Sequence, residues 1–100
     1  MTFFWRDAQA ALWAKEIKER DDYTCRLCGK YWISLNSHHM WSWDRFVEYR
    51  YDLNNGITLC NNCHMEFHKI YGKGNNTYYQ FLQFEKTYKL YKQAIEKKIK

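Results

Sequence analysis

Two Cys-x-x-Cys pairs, Cys25–Cys28 and Cys60–Cys63, constrain this 100-residue chain more than any other feature. A single domain of that length builds a thin core, and such domains commonly need a staple. Which staple the cysteines form depends on their compartment. The opening MTFFWRDAQAALW carries Arg6 and Asp7, so no apolar run of signal-peptide length is present there, and no later segment reads as a membrane span. The expectation is an intracellular protein with reduced thiols, where paired Cys-x-x-Cys motifs point to zinc ahead of disulfides. Four thiolates complete a tetrahedral site with no open position, which makes that zinc structural. The 31 residues between the pairs leave room for a substantial insertion.

Local patterns divide the rest. WRDAQAALWAKEIKERDD has apolar positions at Trp5, Ala8, Ala11 and Leu12 among good helix formers, which predicts a helix over 5–20. Gly29 sits where a tight turn between two short strands needs a positive φ. WISLNSHH reads as one strand and GITL, after the turn-forming DLNN, as another, so His38-His39 and Ile57-Thr58-Leu59 are expected to pair across a long loop. NNCHMEFHKIYG predicts a helix of about ten residues, capped by Asn and stopped at Gly72. GKGNN reads as a flexible joint. Thr77 then caps an amphipathic helix over 77–98, whose stripe of Phe81, Phe84, Tyr88, Tyr91 and Ile95 is expected to pack on the first helix. The chain reads as one α+β domain over 1–100, with its centre at 23–72.

The histidines add a second question. His64 and His68 are four apart on the expected helix, so they share a face, either as exposed polar residues or as two ligands of one ion. All four histidines lie between 38 and 68. His38 and His39 are neighbours on a strand and project to opposite faces, so one can ligate while the other activates water.

In this order, CRLC, LNSHHM, NNGITLC and CHMEFH resemble the HNH endonucleases over about residues 20–72, and within them the small proteins of phages and mobile introns. The resemblance implies a zinc-stapled ββα-metal (His-Me finger) core flanked by an N-terminal and a C-terminal helix. It also implies two metal sites: a structural zinc on Cys25, Cys28, Cys60 and Cys63, and one divalent ion held against the scissile phosphate. By position it makes His39 the general base, His38 and His64 ligands of the divalent ion, and Asn55 the residue that orients the base through a backbone or imidazole contact. His68 matches a ligand of the colicin-type members only and ranks behind His64. The implied setting is the cytoplasm of a bacterial or phage-infected host cell.

These residue types suit the chemistry. Phosphodiester hydrolysis needs a nucleophile made near neutral pH, and neutral imidazole is a suited base. A hard cation neutralises charge on the phosphate and leaving oxygen. Magnesium is expected by availability, while imidazole also suits manganese, nickel or zinc. Two departures from the family pattern concern the loop 40–54: Met40-Trp41 stands where relatives often have proline, and Ser37 where an apolar residue is usual.

The formal net charge of +5 is unevenly placed, because residues 85–100 hold six lysines against two glutamates. Lys89, Lys92 and Lys97 on that helix, with Arg50 in the loop, are the expected contacts to duplex DNA, although a basic helix face also serves solubility. Trp41 and Trp43 either close the core or lie against DNA. A chain with one site is expected to nick as a monomer, without a small-molecule cofactor or membrane; homing, phage genome processing and defence remain open. The competing expectation is a non-catalytic zinc module that binds nucleic acid, which would need none of His39, Asn55 and His64.

Overall fold

The computed structural model describes the backbone of residues 2–99 and the side chains of residues 8–98. In chain order it contains helix α1 (Thr2–Arg20), strand β1 (Leu35–His39), 3-10 turns at Val47–Tyr49 and Leu53–Asn55, strand β2 (Gly56–Cys60), helix α2 (Asn61–Tyr71) and helix α3 (Tyr78–Ile99). The architecture is α+β, a two-stranded sheet with three helices. Among the described residues no helix is long and apolar enough to cross a membrane.

The strands pair antiparallel with Ser37 opposite Thr58, His38 opposite Ile57 and His39 opposite Gly56. Side chains alternate across a strand, so this register assigns each residue a face. Ser37 Oγ donates to Ala14 O at 2.6 Å and the Thr58 hydroxyl meets Ile17 O at 3.4 Å, which identifies their face as the one under α1. The opposite face carries His38 and Leu59 into the core with Phe67 of α2.

The close seat of α1 explains Gly56. A Cβ there would come within 2.5 Å of both Ile17 Cδ1 and Trp13 Cζ2, so the helix can lie on the strand only over a residue without a side chain. Polar groups then lock it down: Arg20 donates to Leu53 O and Gly56 O, each at 2.8 Å, and Asp21 accepts from the Thr58 N–H at 2.9 Å. Burial acts to raise the Asp21 pKa, but the Arg20 and Thr58 hydrogen bonds outweigh it and hold the carboxyl below its ordinary value.

The buried face of α1 differs from the expected one. Trp13 and Ile17 are buried, whereas Leu12 is 57% exposed and Ala8 and Ala11 are exposed too. The apolar stripe runs one residue later than expected, because the strand presents its gap at Gly56 to Trp13 and Ile17. The side chain of Trp5 lies outside the described residues.

Helix α2 starts differently as well. Its N-cap is Cys60, whose Sγ accepts from the Cys63 N–H, so the metal knuckle takes the place expected for Asn. It stops at Gly72, φ 80°, as expected. Thr77 does cap α3, reciprocally with Gln80: Thr77 Oγ1 accepts from Gln80 N and Gln80 Oε1 from Thr77 N. The stripe of α3 packs on α2 rather than on α1. Phe84 meets Phe67 and Tyr71 with ring centroids 5.4 and 6.5 Å apart, and Phe81 meets Phe67 at 6.3 Å. Since α1 and α2 occupy opposite faces of the sheet, a helix on α2 has no access to α1. Tyr91 and Ile95, further along, are exposed.

The 72–76 segment is more ordered than its composition predicts. Asn76, 2% exposed, donates to Gly72 O and Gln80 Oε1 and accepts from Gly74 N; Asp44 accepts from Asn75 N, and Ser42 N donates to Asn76 O. The loop after β1 is thereby tied to the joint between α2 and α3.

Candidate active site

The cysteine knuckles are built by backbone geometry. Gly29 takes φ 84°, Cys25 N donates to Lys30 O, and the expected two strands shrink to one bridge between Thr24 and Tyr31. The four Sγ atoms lie within 4.8 Å of one another, with Cys28 and Cys60 at 3.6 Å, close to the edge of a tetrahedron around zinc with bonds of about 2.3 Å. Backbone N–H groups point at the sulfurs, Cys28 N at Cys25 and Cys63 N at Cys60. Burial raises the Cys25 thiol pKa, but backbone N–H donors outweigh it and bring the thiol down to about 7. Burial and the neighbouring sulfurs push Cys63 strongly upward. Four such thiols ionise together only around a cation, so the donor set suits a closed structural zinc.

On the same side of the hairpin as α2, a second donor set forms. One ring nitrogen each of His38, His64 and His68 lies within 4.8 Å of the others. His38 is 2% exposed and its Nε2 has no hydrogen-bond partner, a costly state for a buried polar atom unless something ligates it. His68 Nδ1 lies 2.9 Å from Gly72 O; a carbonyl only accepts, so Nδ1 carries the proton and Nε2 is left as a lone pair facing His64 Nε2 at 3.1 Å. A carbonyl behind the ring that sets its tautomer is a usual companion of a metal-binding imidazole. Burial lowers the pKa of His38 to about 3 and of His64 to about 4, the other imidazoles adding to the effect at His38, and His68 and Lys73 at His64. Both therefore stay neutral, as ligation requires. His68 thus lies in the same three-nitrogen cluster as His64.

His39 points to the opposite face and lines the same open cleft of about 530 Å³, at the end of the hairpin, together with the three other histidines. Its Nε2 donates to Arg50 O at 2.9 Å, so Nδ1 keeps the lone pair. Its pKa is lowered, chiefly by burial.

Asn55 is buried, and its side-chain hydrogen bonds go to the backbone of the loop and not to the His39 imidazole. Its Nδ2 donates to Trp41 O and Tyr49 O, and its Oδ1 accepts from Trp41 N at 2.7 Å. These bonds clip the loop after β1, the loop whose Arg50 O meets the His39 imidazole. Arg50 is itself braced: Nε donates to Trp43 O at 2.7 Å and the guanidinium lies 4.5 Å from the centre of the Trp43 ring. Trp41 packs among Phe46, Tyr49, Tyr78 and Tyr79. The loop that lacks the usual proline is thus shaped by Asn55 and an aromatic cluster, and Ser37 is accounted for by its bond to α1.

Lys73 also lines the cleft. Sequence reading missed it because a lysine between two glycines looks like part of a solvated turn; only the bracing of that turn through Asn76 and Asp44 keeps it beside His64 and His68. Lys89, Lys92 and Lys97 lie outside the cleft on exposed turns of α3, Lys89 with a long ion pair to Glu85 at 3.8 Å.

Residues 25–69 match the family model of the HNH endonuclease. A curated relative, Anaredoxin from Nostoc sp., is 31% identical over 55 residues, covering 55% of this chain and 70% of that protein. No solved structure matches the chain. The matched segment runs from the first cysteine knuckle through both strands to the residue after His68, and the chain belongs to the HNH endonuclease family.

Proposed function

We propose that the chain is a metal-dependent endonuclease that hydrolyses phosphodiester bonds of duplex DNA, nicking one strand per event as a monomer. The observation that carries this reading is the split of an adjacent histidine pair at one cleft. His38 joins His64 and His68 in a three-nitrogen donor set, while His39, on the other face, keeps a lone pair at Nδ1. A structural module has no use for that division.

A divalent ion held by His38, His64 and His68 would supply the Lewis-acid contribution, drawing charge from the phosphate and the leaving oxygen; magnesium fits by availability, manganese, nickel or zinc by ligand type. The chain's own residues do the rest. His39 Nδ1 takes a proton from water as the water oxygen bonds to phosphorus and the phosphorus–oxygen bond to the leaving strand breaks, that alkoxide taking its proton from solvent. Arg50 O steadies the imidazolium through the Nε2–H bond. Lys73 offers an ammonium to a non-bridging phosphate oxygen at the rim of the cleft. Arg50, Lys89, Lys92 and Lys97 supply contacts to phosphates that carry no base information.

Supercoiled plasmid incubated with the purified chain, with and without added magnesium or manganese, tests the reading. Conversion to the open-circular form only with metal is the expected result. Intact plasmid under all metals, with DNA still bound, would leave a zinc-stapled nucleic-acid-binding module.

A further inference from the structure

Trp13 lies twelve residues before the segment that carries the family match, yet its indole covers the His39 imidazole. The ring centroids are 3.8 Å apart and the planes differ by 9°. The indole is fixed in its turn: it is 4% exposed, its Nε1–H donates to Asp52 O at 2.9 Å, and it rests on Gly56, where any Cβ would collide with it. On the imidazole the Arg50 carbonyl holds Nε2, and the Trp43 ring stands edge-on at 5.6 Å. A hydrogen bond at one nitrogen leaves the ring free to swing about that contact. A flat aromatic surface 3.8 Å away removes the swing.

We propose that Trp13 is a positioning residue for the general base, its indole face holding the His39 ring in the plane in which Nε2–H meets Arg50 and Nδ1 serves the cleft. The inference rests on the reading of His39 as base. It makes α1 a working part of the active site, since the helix carries the surface against which the base is held. Small displacements of a reacting group are costly to rate, on the order of 100-fold for about 1 Å, so the stack has kinetic weight without touching substrate.

The test compares Trp13→Leu, which removes the aromatic face, with Trp13→Phe, which keeps a face and loses the Nε1–H, both as the full chain with zinc content and melting temperature as fold checks. On plasmid with saturating magnesium, Trp13→Leu should lower kcat by roughly 10- to 100-fold at unchanged KM, and Trp13→Phe should keep most of the rate. In a His39→Ala background the Leu change should lower the residual rate no further, because the ring it positions is gone. Long-range ¹H–¹⁵N spectra of the imidazoles give a reading that needs no turnover. In the wild type and Trp13→Phe, His39 should show the Nε2–H tautomer and ring protons shifted upfield under the aromatic face, and Trp13→Leu should lose that shift. Equal rate losses in the two backgrounds, or an unchanged His39 spectrum in Trp13→Leu, overturn the proposal. Should Trp13→Leu fail to fold, a folded Trp13→Phe that has lost the upfield shift while keeping full kcat overturns it as well. A His39→Ala chain that cuts at the wild-type rate removes the base assignment itself, and the spectra then still report whether the indole orients the ring.

Discussion

His39 and His64 stand at one cleft with different surroundings, and their substitutions should separate accordingly. His39→Ala removes the lone pair at Nδ1 and leaves the donor set of His38, His64 and His68 intact, so cleavage should fall by roughly 10² to 10⁴ with metal and DNA still bound. His64→Ala takes away one nitrogen of three, and higher magnesium or manganese should restore part of its rate. Titrating metal against cleavage in both variants checks this, and rescue of His39→Ala to the same degree would contradict the assignment. The pH profile follows from burial. His39 has a folded pKa below the ordinary histidine value of about 6.5, so the neutral, proton-accepting form persists to lower pH than in an exposed histidine. The acid half-point of activity should lie below about pH 6.5, with activity lost as pH falls through the lowered pKa. His38 and His64, at about 3 and about 4, remain neutral across that window. A half-maximal rate above about pH 6.5 would contradict this.

At the scale of elements, α1 is fitted closely to the sheet beside the proposed site. Gly56 has φ −120°, open to any residue, so its requirement is space alone. Gly56→Ala drives a methyl into Trp13 and Ile17, an overpacking worth about 1–3 kcal/mol, and displaces the indole that covers His39. Urea unfolding should show that loss, and kcat should fall more than a stability change of this size explains in a chain that is still folded. Full activity in a destabilised Gly56→Ala would mean that the seat of α1 matters to the fold and not to the site. The joint between α2 and α3 has a similar double role, since the contacts of Asp44 and Asn76 hold both the turn and Lys73.

For the whole molecule, the cysteine cluster and α3 make opposite kinds of contribution. The core is small, and zinc coupled to folding supplies on the order of 10 kcal/mol in peptides of comparable chemistry. Cys28→Ser or Cys60→Ser should therefore give unfolded or insoluble protein, and a strong chelator should abolish the cooperative melt; a chain free of zinc by elemental analysis that still melts cooperatively would end the assignment of a four-cysteine zinc site. The far half of α3 packs on little, and its lysines are exposed. Reversal of Lys89, Lys92 and Lys97 to Glu should weaken DNA binding evenly across sequences and flatten its salt dependence, each lost phosphate contact removing about 0.9 from the slope of log K against log salt. An unchanged slope would return the helix to a solubility role.

The sequence by itself determined the features whose cause is local. The two knuckles, the turn at Gly29, the stop at Gly72, the Thr77 cap and the strand-borne histidine pair follow from spacing and backbone preference, and the ordered motifs carried the family with them. What it could not determine depended on which surfaces meet. The α1 stripe was misplaced because helical periodicity counts apolar residues, and only the gap at Gly56 selects Trp13 over Leu12. The partner of α3 was misassigned because an amphipathic face does not name what it packs against; the sheet between α1 and α2 decided that. GKGNN looked loose because its hydrogen-bond partners, Ser42 and Asp44, are distant in sequence. The meeting of His38 with His64 and His68, the bonds of Asn55 to Trp41 and Tyr49, and the indole on the His39 ring are likewise tertiary. Each rests on distances between segments that the chain brings together only after the hairpin, its two flanking helices and the cysteine staple have closed around one another.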